Sequence, residues 1–182
     1  MHQFNNELDA LMSKVKKGQM ERSEYAYIAE RLGNKNLLIF GTGHDSQFWR
    51  HVNTGTTIFL EHDPDWVLEK TKDVFLIEYT SNIKDYQKLL DEYNSNNFSN
   101  LEITLPPVVY EHEWDVIFVD GPPGNKKKSI GRMQSIYMAN KLANKNTDIF
   151  VHDCNRTVED IYTKSFFNIQ EELVKLRHCR KK

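Results

Sequence analysis

The chain has 182 residues, of which 39% are hydrophobic and 27% charged, and its formal net charge is −2 at pH 7. This composition is typical of one globular domain, which we assign to residues 1–182, and the charge argues against a nucleic acid partner bound through overall basicity. Two cysteines do not indicate a disulfide scaffold. The chain shows no signal peptide and no apolar run of about 20 residues, so we expect a cytoplasmic protein without a membrane segment. No feature of the sequence indicates an oligomeric state.

The first predicted elements are two helices, which form an N-terminal helical segment over residues 1–33. The first covers residues 5–17. The second begins at Ser23, places Tyr25, Ile28 and Leu32 on one face, and ends at Gly33. The core is predicted to cover residues 36–182.

Strands and helices alternate through the predicted core. Short apolar runs predict strands at 37–40, 56–61, 73–80 and 114–121, and a fifth strand together with its exit at 147–156. Helices are predicted between and after them, at 45–53, 63–72, 82–94, 132–145 and 158–167. Two prolines restrict segment 101–110 to an edge strand or an extended arm, and the tail 168–181 forms a final strand or a hairpin.

This alternation predicts an α/β fold with a central, mostly parallel sheet and helices on both faces. In such sheets, ligands bind at the carboxyl ends of the strands. The functional candidates are therefore the residues that directly follow each strand.

A glycine turn follows the first strand in LLIFGTGHDSQFW, residues 37–49. Gly41 and Gly43 allow a tight turn and a close approach of the backbone to a ligand. Ser46 stands where the dinucleotide fingerprint has its third glycine, which counts against an NAD-dependent oxidoreductase. S-adenosylmethionine (SAM) has no pyrophosphate, and a looser turn followed by a helix can hold it. Glu61 ends the second strand, where a carboxylate can bind ribose hydroxyls; a structural turn and a surface glutamate are the alternative.

Acidic residues also end the fourth and fifth strands. Asp120 closes VIFVD and Asp153 closes IFVHD, so both are expected to face one crevice. A single aspartate after a strand is usually a turn former, but two at neighbouring strand ends suit methyl transfer to a hydroxyl group. Such a transfer needs a base, for which His152 or Asp153 is a candidate, or a divalent metal ion held by the oxygens of Asp120, Asp153 and Asn155.

The loop GNKKKSIGR, residues 124–132, is the basic cluster nearest to this crevice. It is either a solvated run of charges or a recognition element. In the second case Arg132 or a lysine binds an acidic group of the substrate, such as a uronate carboxylate.

Five motifs occur in one order: LLIFGTGHDSQFW, TTIFLEHDPDW, EWDVIFVDGPPG, GRMQSIYMANKLA and TDIFVHDCNRTVED. Together they resemble the glucuronoxylan 4-O-methyltransferase family of plant xylan biosynthesis, over about residues 36–167. The resemblance implies a Rossmann-like class I methyltransferase fold, with a sheet of seven strands or slightly fewer. It also implies SAM as donor and a sugar hydroxyl as acceptor, in the type case the 4-OH of glucuronic acid.

The resemblance also implies roles for individual residues. The donor site is lined by Gly41, Gly43, His44, Asp45 and Ser46, with Glu61 on the ribose and Asp120 at the junction of donor and acceptor. The catalytic candidates are Asp120, His152 and Asp153, and the acceptor is bordered by Arg132, Asn155 and Arg156. The predicted function is SAM-dependent O-methylation of a sugar hydroxyl. The alternatives are methylation of a small phenol or RNA, and an inactive module that binds an adenosyl ligand.

Overall fold

The computed structural model describes residues 9–10, 12–13, 20–67 and 71–182. Its helices are α1 (Arg22–Ala29), α2 (Ser46–Val52), α3 (Tyr86–Asn94), α4 (Met133–Leu142) and α5 (Thr157–Phe166). Its strands are β1 (Leu37–Phe40), β2 (Thr57–Glu61), β3 (Val74–Leu76), β4 (Val116–Val119), β5 (Asp148–Val151), β6 (Phe167–Leu173) and β7 (Leu176–Lys181). Short 3-10 turns cover Pro64–Trp66, Ile83–Asp85 and Pro107–Tyr110.

The strands form one sheet in the order β3-β2-β1-β4-β5-β7-β6. Strands β1 to β5 are parallel, β7 is antiparallel to β5, and β6 is antiparallel to β7. The predicted seven-stranded, mostly parallel sheet is therefore confirmed. The chain runs outward from β1 to β3 and returns to β4 on the other side of β1. This reversal opens a crevice at the carboxyl ends of β1 and β4, where α/β sheets bind their ligands.

The core lies on both faces of the sheet. Alternate residues of β1 point to opposite sides, as the period of a strand requires: Leu38 and Phe40 belong to one apolar cluster, Leu37 and Ile39 to the other. The first cluster is covered by apolar residues of α3, α4 and α5, and the second by those of α1 and α2. Both faces are thus closed by helices, as the continuous apolar strands predict.

Several predicted elements are shorter than the sequence indicates. Strands β4 and β5 cover only Val116–Val119 and Asp148–Val151. The helix predicted at 63–72 is a 3-10 turn over Pro64–Trp66, because the Asp63 side chain accepts the Asp65 N–H and forms a local turn; residues 68–70 lie outside the described ones. The strand predicted at 73–80 pairs with β2 only over Val74–Leu76. It is an edge strand, and β2 ends at Glu61.

Segment 101–110 is an arm and contributes no strand. Its side chains Leu101, Ile103 and Leu105 are buried in the core, and Pro107 begins a 3-10 turn. The tail forms the β6–β7 hairpin, which confirms the second of the two predicted forms.

The N-terminal region differs from its prediction in detail. Most of the helix predicted at 5–17 lies outside the described residues. Helix α1 begins one residue before Ser23, and its N-cap is Glu21, which shares a capping box with Glu24; it ends at Ala29, before Gly33. Among the residues that the structure describes, no helix is both long and apolar enough to cross a bilayer.

Candidate active site

The candidate site is the crevice at the carboxyl ends of β1, β2, β4 and β5. Its walls come from the segments after these strands: 41–43, 61–63, 120–125 and 152–153, together with Trp66, Arg132 and Arg156. A smaller cavity continues beneath the glycine turn and is lined by Asp45, Ser46 and Asp120 among others. His44 lies on a neighbouring groove with Trp66. The structure thus brings together all the predicted site residues except Asn155, which is exposed and lines none of these three spaces.

The floor of the crevice is made of backbone where β1 meets β4. A Cβ atom added to Gly121 would lie 2.8 Å from the Gly41 Cα, and one added to Gly41 would lie 3.0 Å from the Gly121 nitrogen. Gly41 also has a φ of +109°, which side chains disfavour. Two glycines are therefore required here by contact, and Gly41 additionally by its backbone conformation.

The glycine turn is held by short-range contacts. The Gly43 N–H donates to the Ser46 Oγ at 3.0 Å, and Ser46 begins α2. Asp45 takes the N-cap position, but its buried side chain accepts hydrogen bonds from the Tyr25 hydroxyl (3.2 Å) and the Trp49 indole (3.1 Å). Burial and the nearby Asp120 carboxylate raise the pKa of Asp45 to about 6, against the effect of these hydrogen bonds.

Glu61 joins the end of β2 to the glycine turn. Its Oε1 accepts the N–H groups of His62 (2.7 Å) and Asp63 (2.8 Å), and its Oε2 accepts the N–H (2.7 Å) and hydroxyl (2.8 Å) of Thr42. Burial alone would raise the pKa of Glu61, but the hydrogen bonds from His62, Asp63 and Thr42 outweigh it and lower the pKa to about 2. The His62 ring also meets Glu61, with Nδ1 2.7 Å from Oε1, so a ribose that reached this carboxylate would replace the Thr42 hydroxyl or the His62 ring.

Asp120 follows β4 and so lies between the half of the crevice formed after β1 and β2 and the half formed after β5. Its Oδ1 accepts from Arg132 Nη2 at 3.2 Å and faces His152 Nδ1 at 3.1 Å. Burial works against ionisation, but His152 and Arg132 more than offset it and lower the pKa of Asp120. No group among the described residues hydrogen-bonds its Oδ2. One carboxylate oxygen is therefore fixed by the protein and the other is available to a ligand.

Arg132 is a buried clamp between the ends of β4 and β5. Its guanidinium donates to the carbonyls of Asp120 (2.6 Å), His152 (2.7 Å) and Pro122 (3.2 Å), and it pairs with the carboxylates of Asp120 and Asp153. Its donors are thus directed at protein acceptors. In the structure, Arg132 joins the ends of β4 and β5 through these contacts. Its role in binding an acidic substrate group stays a prediction.

Asp153 follows β5 with a φ of +64°, an unusual backbone conformation that aspartate tolerates better than most residues. Its Oδ2 pairs with Arg132 Nη2 and with Arg156 Nη1, each at 2.9 Å. The Arg132 side chain is 5% exposed, whereas that of Arg156 is 31% exposed. Arg156 is therefore the arginine of this pair that a ligand in the crevice can reach.

Two contributors to the site were not found by the sequence analysis. Trp66 is 38% exposed on the crevice wall, with its ring 5.1 Å from that of His44. The only sequence signal was a large aromatic residue shortly after the acidic end of β2. Glu24 lies on α1 and reaches the buried side of His152. Nothing in the local sequence indicates this contact.

A divalent cation does not fit the acidic cluster as it stands. Ligand atoms of Asp120, His152 and Asp153 lie within 4.8 Å of one another. The Arg132 guanidinium, however, already bridges the two carboxylates at 3.2 and 2.9 Å. A cation would have to displace a buried arginine, and the third predicted ligand, Asn155, is exposed outside the crevice.

Comparison with known proteins places this geometry in context. The sequence profile of the family described as IRX15/IRX15L/GXM matches residues 20–178. Glucuronoxylan 4-O-methyltransferase 2 of Arabidopsis thaliana is 37% identical over 168 residues, which cover 79% of this chain and 58% of that protein. Arabinogalactan O-methyltransferase 2 of the same plant is 33% identical, covering 72% and 54% respectively. The chain therefore spans little more than half the length of these relatives.

A solved structure supports the fold. A Streptococcus mutans protein in complex with S-adenosylhomocysteine (SAH) superposes with a TM-score of 0.50 over 92% of this chain and 99% of its own, at 12% identity. At that identity, the likeness bears on the fold alone. The sheet order and this likeness agree in a Rossmann-like fold of the class I methyltransferase type.

Proposed function

The chain belongs to the IRX15/IRX15L/GXM family, and from that premise we propose that it is a SAM-dependent O-methyltransferase that acts on a sugar hydroxyl. The names of its relatives support this class of reaction, because they are O-methyltransferases of two different polysaccharides. The main support for the proposal is the surroundings of the Asp120 carboxylate. Its Oδ1 is held by Arg132 and His152, while its Oδ2 has no partner among the described residues.

The donor half of the crevice suits an adenosyl ligand. Gly41 and Gly43 allow the ligand to approach the backbone, and Glu61 is ionised and placed beside the turn. The exposed face of Trp66 offers an aromatic surface to the adenine ring, and His44 packs against its edge. Asp45 and Ser46 shape the turn from beneath.

Bound SAM would supply an electrophilic methyl group and leave as SAH when its S–CH3 bond breaks, so the protein has to orient the acceptor hydroxyl and remove its proton. Asp120 Oδ2 is the group that performs this step. The lowered pKa of Asp120 keeps it ionised at neutral pH but makes it a weak base, so it accepts the proton as the new O–C bond forms rather than beforehand. His152 and Arg132 fix its orientation, and Asp153 balances the charge of the two arginines.

The acceptor half of the crevice favours an acidic sugar. Arg156 is half-buried on its wall, pairs through one nitrogen with Asp153, and keeps part of its guanidinium exposed. A uronate carboxylate is a suitable partner for this group. Asn155 and Arg132 stay predicted contributors, Asn155 from the exposed surface beside Arg156.

Calorimetric titration with SAM and SAH, with NAD as control, tests the donor. We expect micromolar dissociation constants for the adenosyl ligands and no heat from NAD. Methyl transfer from labelled SAM to glucuronic acid-containing oligosaccharides then tests the acceptor, with neutral oligosaccharides of equal length beside them. Binding without transfer to any sugar would favour an inactive adenosyl-binding module. Absence of binding would contradict the predicted donor site.

Metal removal tests whether methyl transfer needs a cation at Asp120, His152 and Asp153. We expect chelator-treated protein to keep its methyl transfer activity, because Arg132 already neutralises the carboxylates of Asp120 and Asp153. The measurement compares turnover before and after dialysis against a chelator. Loss of activity that added Mg²⁺ restores would show that a cation displaces the arginine.

A further inference from the structure

Helix α1 carries a carboxylate that is fully buried although it lies outside the sheet. Glu24 is 0% exposed. Its Oε2 accepts the Glu21 N–H at 2.7 Å as part of the capping box, and its Oε1 accepts the Lys175 N–H at 2.8 Å from the β6–β7 turn. Burying a carboxylate is costly unless it is paired. Both oxygens of Glu24 accept neutral backbone N–H groups, so a partner that can carry positive charge would stabilise the buried carboxylate further.

That partner is the ring of His152. Glu24 Oε2 lies 3.7 Å from His152 Nε2, which is buried and has no hydrogen-bond partner in the described part of the chain. The other ring nitrogen, Nδ1, lies 3.1 Å from Asp120 Oδ1 and 3.8 Å from Asp153 Oδ2. The imidazole is therefore placed between a carboxylate of α1 and the carboxylates that follow β4 and β5.

We propose that Glu24 is a positioning residue for methyl transfer. It accepts the Nε2 proton of His152, which directs the Nδ1 proton to Asp120 Oδ1 and leaves Asp120 Oδ2 for the acceptor hydroxyl. An ionised carboxylate only accepts hydrogen bonds, so the ring can bond to both carboxylates only with a proton on each nitrogen, once Nε2 and Glu24 Oε2 close from 3.7 Å to hydrogen-bond distance. This inference rests on the proposed function, because it assigns Glu24 a part in that reaction.

The surrounding contacts fix Glu24 in this place. The turn residue Lys175 donates its N–H to Glu24 and accepts the Cys154 N–H at 2.8 Å through its carbonyl. Cys154 follows His152 and Asp153 directly. The β6–β7 turn thus binds both the positioning carboxylate and the segment that carries the histidine, so their separation is set by one short stretch of backbone.

The variant E24Q tests the proposal, because it removes the charge and keeps the size. We expect turnover to fall about 10-fold or more while the affinity for SAH changes less than about 2-fold, since the polar partners of Glu24 in the described part of the chain, Glu21, Lys175 and His152, are not predicted donor-site residues. E30Q is the matched control, because Glu30 is an exposed acid at the end of the same helix. E21A is a second control that weakens the cap of α1 but keeps Glu24. If E21A lost as much turnover as E24Q, the effect would come from helix stability and the proposal would be wrong.

A double variant tests whether Glu24 acts on turnover through His152 or independently of it. In an H152N background, E24Q should lower turnover no further, because the two residues act through one contact. Independent, multiplicative losses would contradict the proposal. If E24Q does not fold, E24D keeps the charge at a shorter reach, and we expect a smaller loss of turnover from it.

Nitrogen-15 NMR of the histidine rings decides the contact without any activity assay. In the ligand-free wild type we expect protons on both nitrogens of His152, and in E24Q the loss of the Nε2 proton signal. An unprotonated Nε2 in the wild type would overturn the inference. Failure of the protein to methylate any sugar would instead count against the proposed function, so the two failures are distinguishable.

Discussion

At the scale of single residues, the two carboxylate oxygens of Asp120 have different surroundings. Arg132 and His152 hold Oδ1, and Oδ2 has no partner among the described residues. We expect D120N to lower turnover at least about 100-fold, the usual scale for loss of a positioned base, while SAH still binds. Steady-state kinetics with calorimetry checks both. D91N, in an exposed aspartate of α3, is the control, and full activity of D120N would remove Asp120 from the reaction.

Glu61 is ionised and hydrogen-bonded by the backbone, so its charge contributes to stability as well as to binding. The folded state holds its pKa near 2, below the ordinary 4.5, so this stabilisation is present above about pH 4.5 and is lost as the pH falls towards 2. We expect E61Q to unfold more easily at pH 7, by up to about 3 kcal/mol, and to bind SAM at least about 10-fold more weakly.

Urea unfolding of wild type and E61Q at several pH values measures this difference. The gap between the two proteins should shrink as the pH falls from 4.5 to 2, because the carboxylate is then protonated in the unfolded wild type while the folded state keeps it ionised until about pH 2. A gap that stays constant over this range would show that Glu61 does not stabilise the fold through its charge. Thr42→Val serves as control, since it removes one hydroxyl donor and keeps the carboxylate.

At the scale of elements, the crevice depends on how closely β1 and β4 end beside each other. We expect G121A to destabilise the protein by about 2–3 kcal/mol, because its new methyl group would meet the Gly41 backbone at 2.8 Å. G33A is the control: a Cβ there meets no atom within 4 Å, so its cost reflects only the positive φ of Gly33. Thermal unfolding compares the two. A smaller loss for G121A than for G33A would contradict the close contact.

Beyond the last backbone hydrogen bond, from the His152 N–H to the Val119 carbonyl, the ends of β4 and β5 are joined by a side chain. Arg132, just before α4, donates to carbonyls after both strands and to both carboxylates. Such charge-assisted hydrogen bonds are stronger than neutral ones and hold the acids at fixed spacing. Helix α1 adds the contact of Glu24 with His152 from the other side. The site is therefore held by side chains from α1 and from the start of α4.

At the scale of the whole molecule, donor binding should appear as added stability. A ligand present at 100 times its dissociation constant stabilises the folded state by about 2.7 kcal/mol. For a chain of this length, that corresponds to a rise in Tm of about 5–10 °C with SAH. Thermal scans with increasing SAH measure the shift, with NAD at the same concentrations as control. Equal shifts for SAH and NAD would contradict an adenosyl-specific site.

The sequence by itself determined the sheet and the position of the crevice. Short apolar runs such as LLIF and VIFV, each followed by a glycine turn or an acidic residue, indicate buried strands, and the residues that follow parallel strands meet at one edge. Gly41, Glu61 and Asp120 could therefore be placed at the site from local pattern alone. The 3-10 turn at Pro64–Trp66 and the short β3 were predicted too long, because side-chain turns and edge positions override local propensity.

Only the tertiary structure decided how the charges pair. In the sequence, Arg132 belongs to a basic loop, but in the fold its donors are engaged by the ends of β4 and β5. Glu24 and His152 are distant in the chain, and their contact depends on packing of α1 against the sheet. Periodicity fixes which side of an element is buried, because burial follows from local apolar spacing. The partner of each buried charge follows from long-range contacts that no local pattern contains.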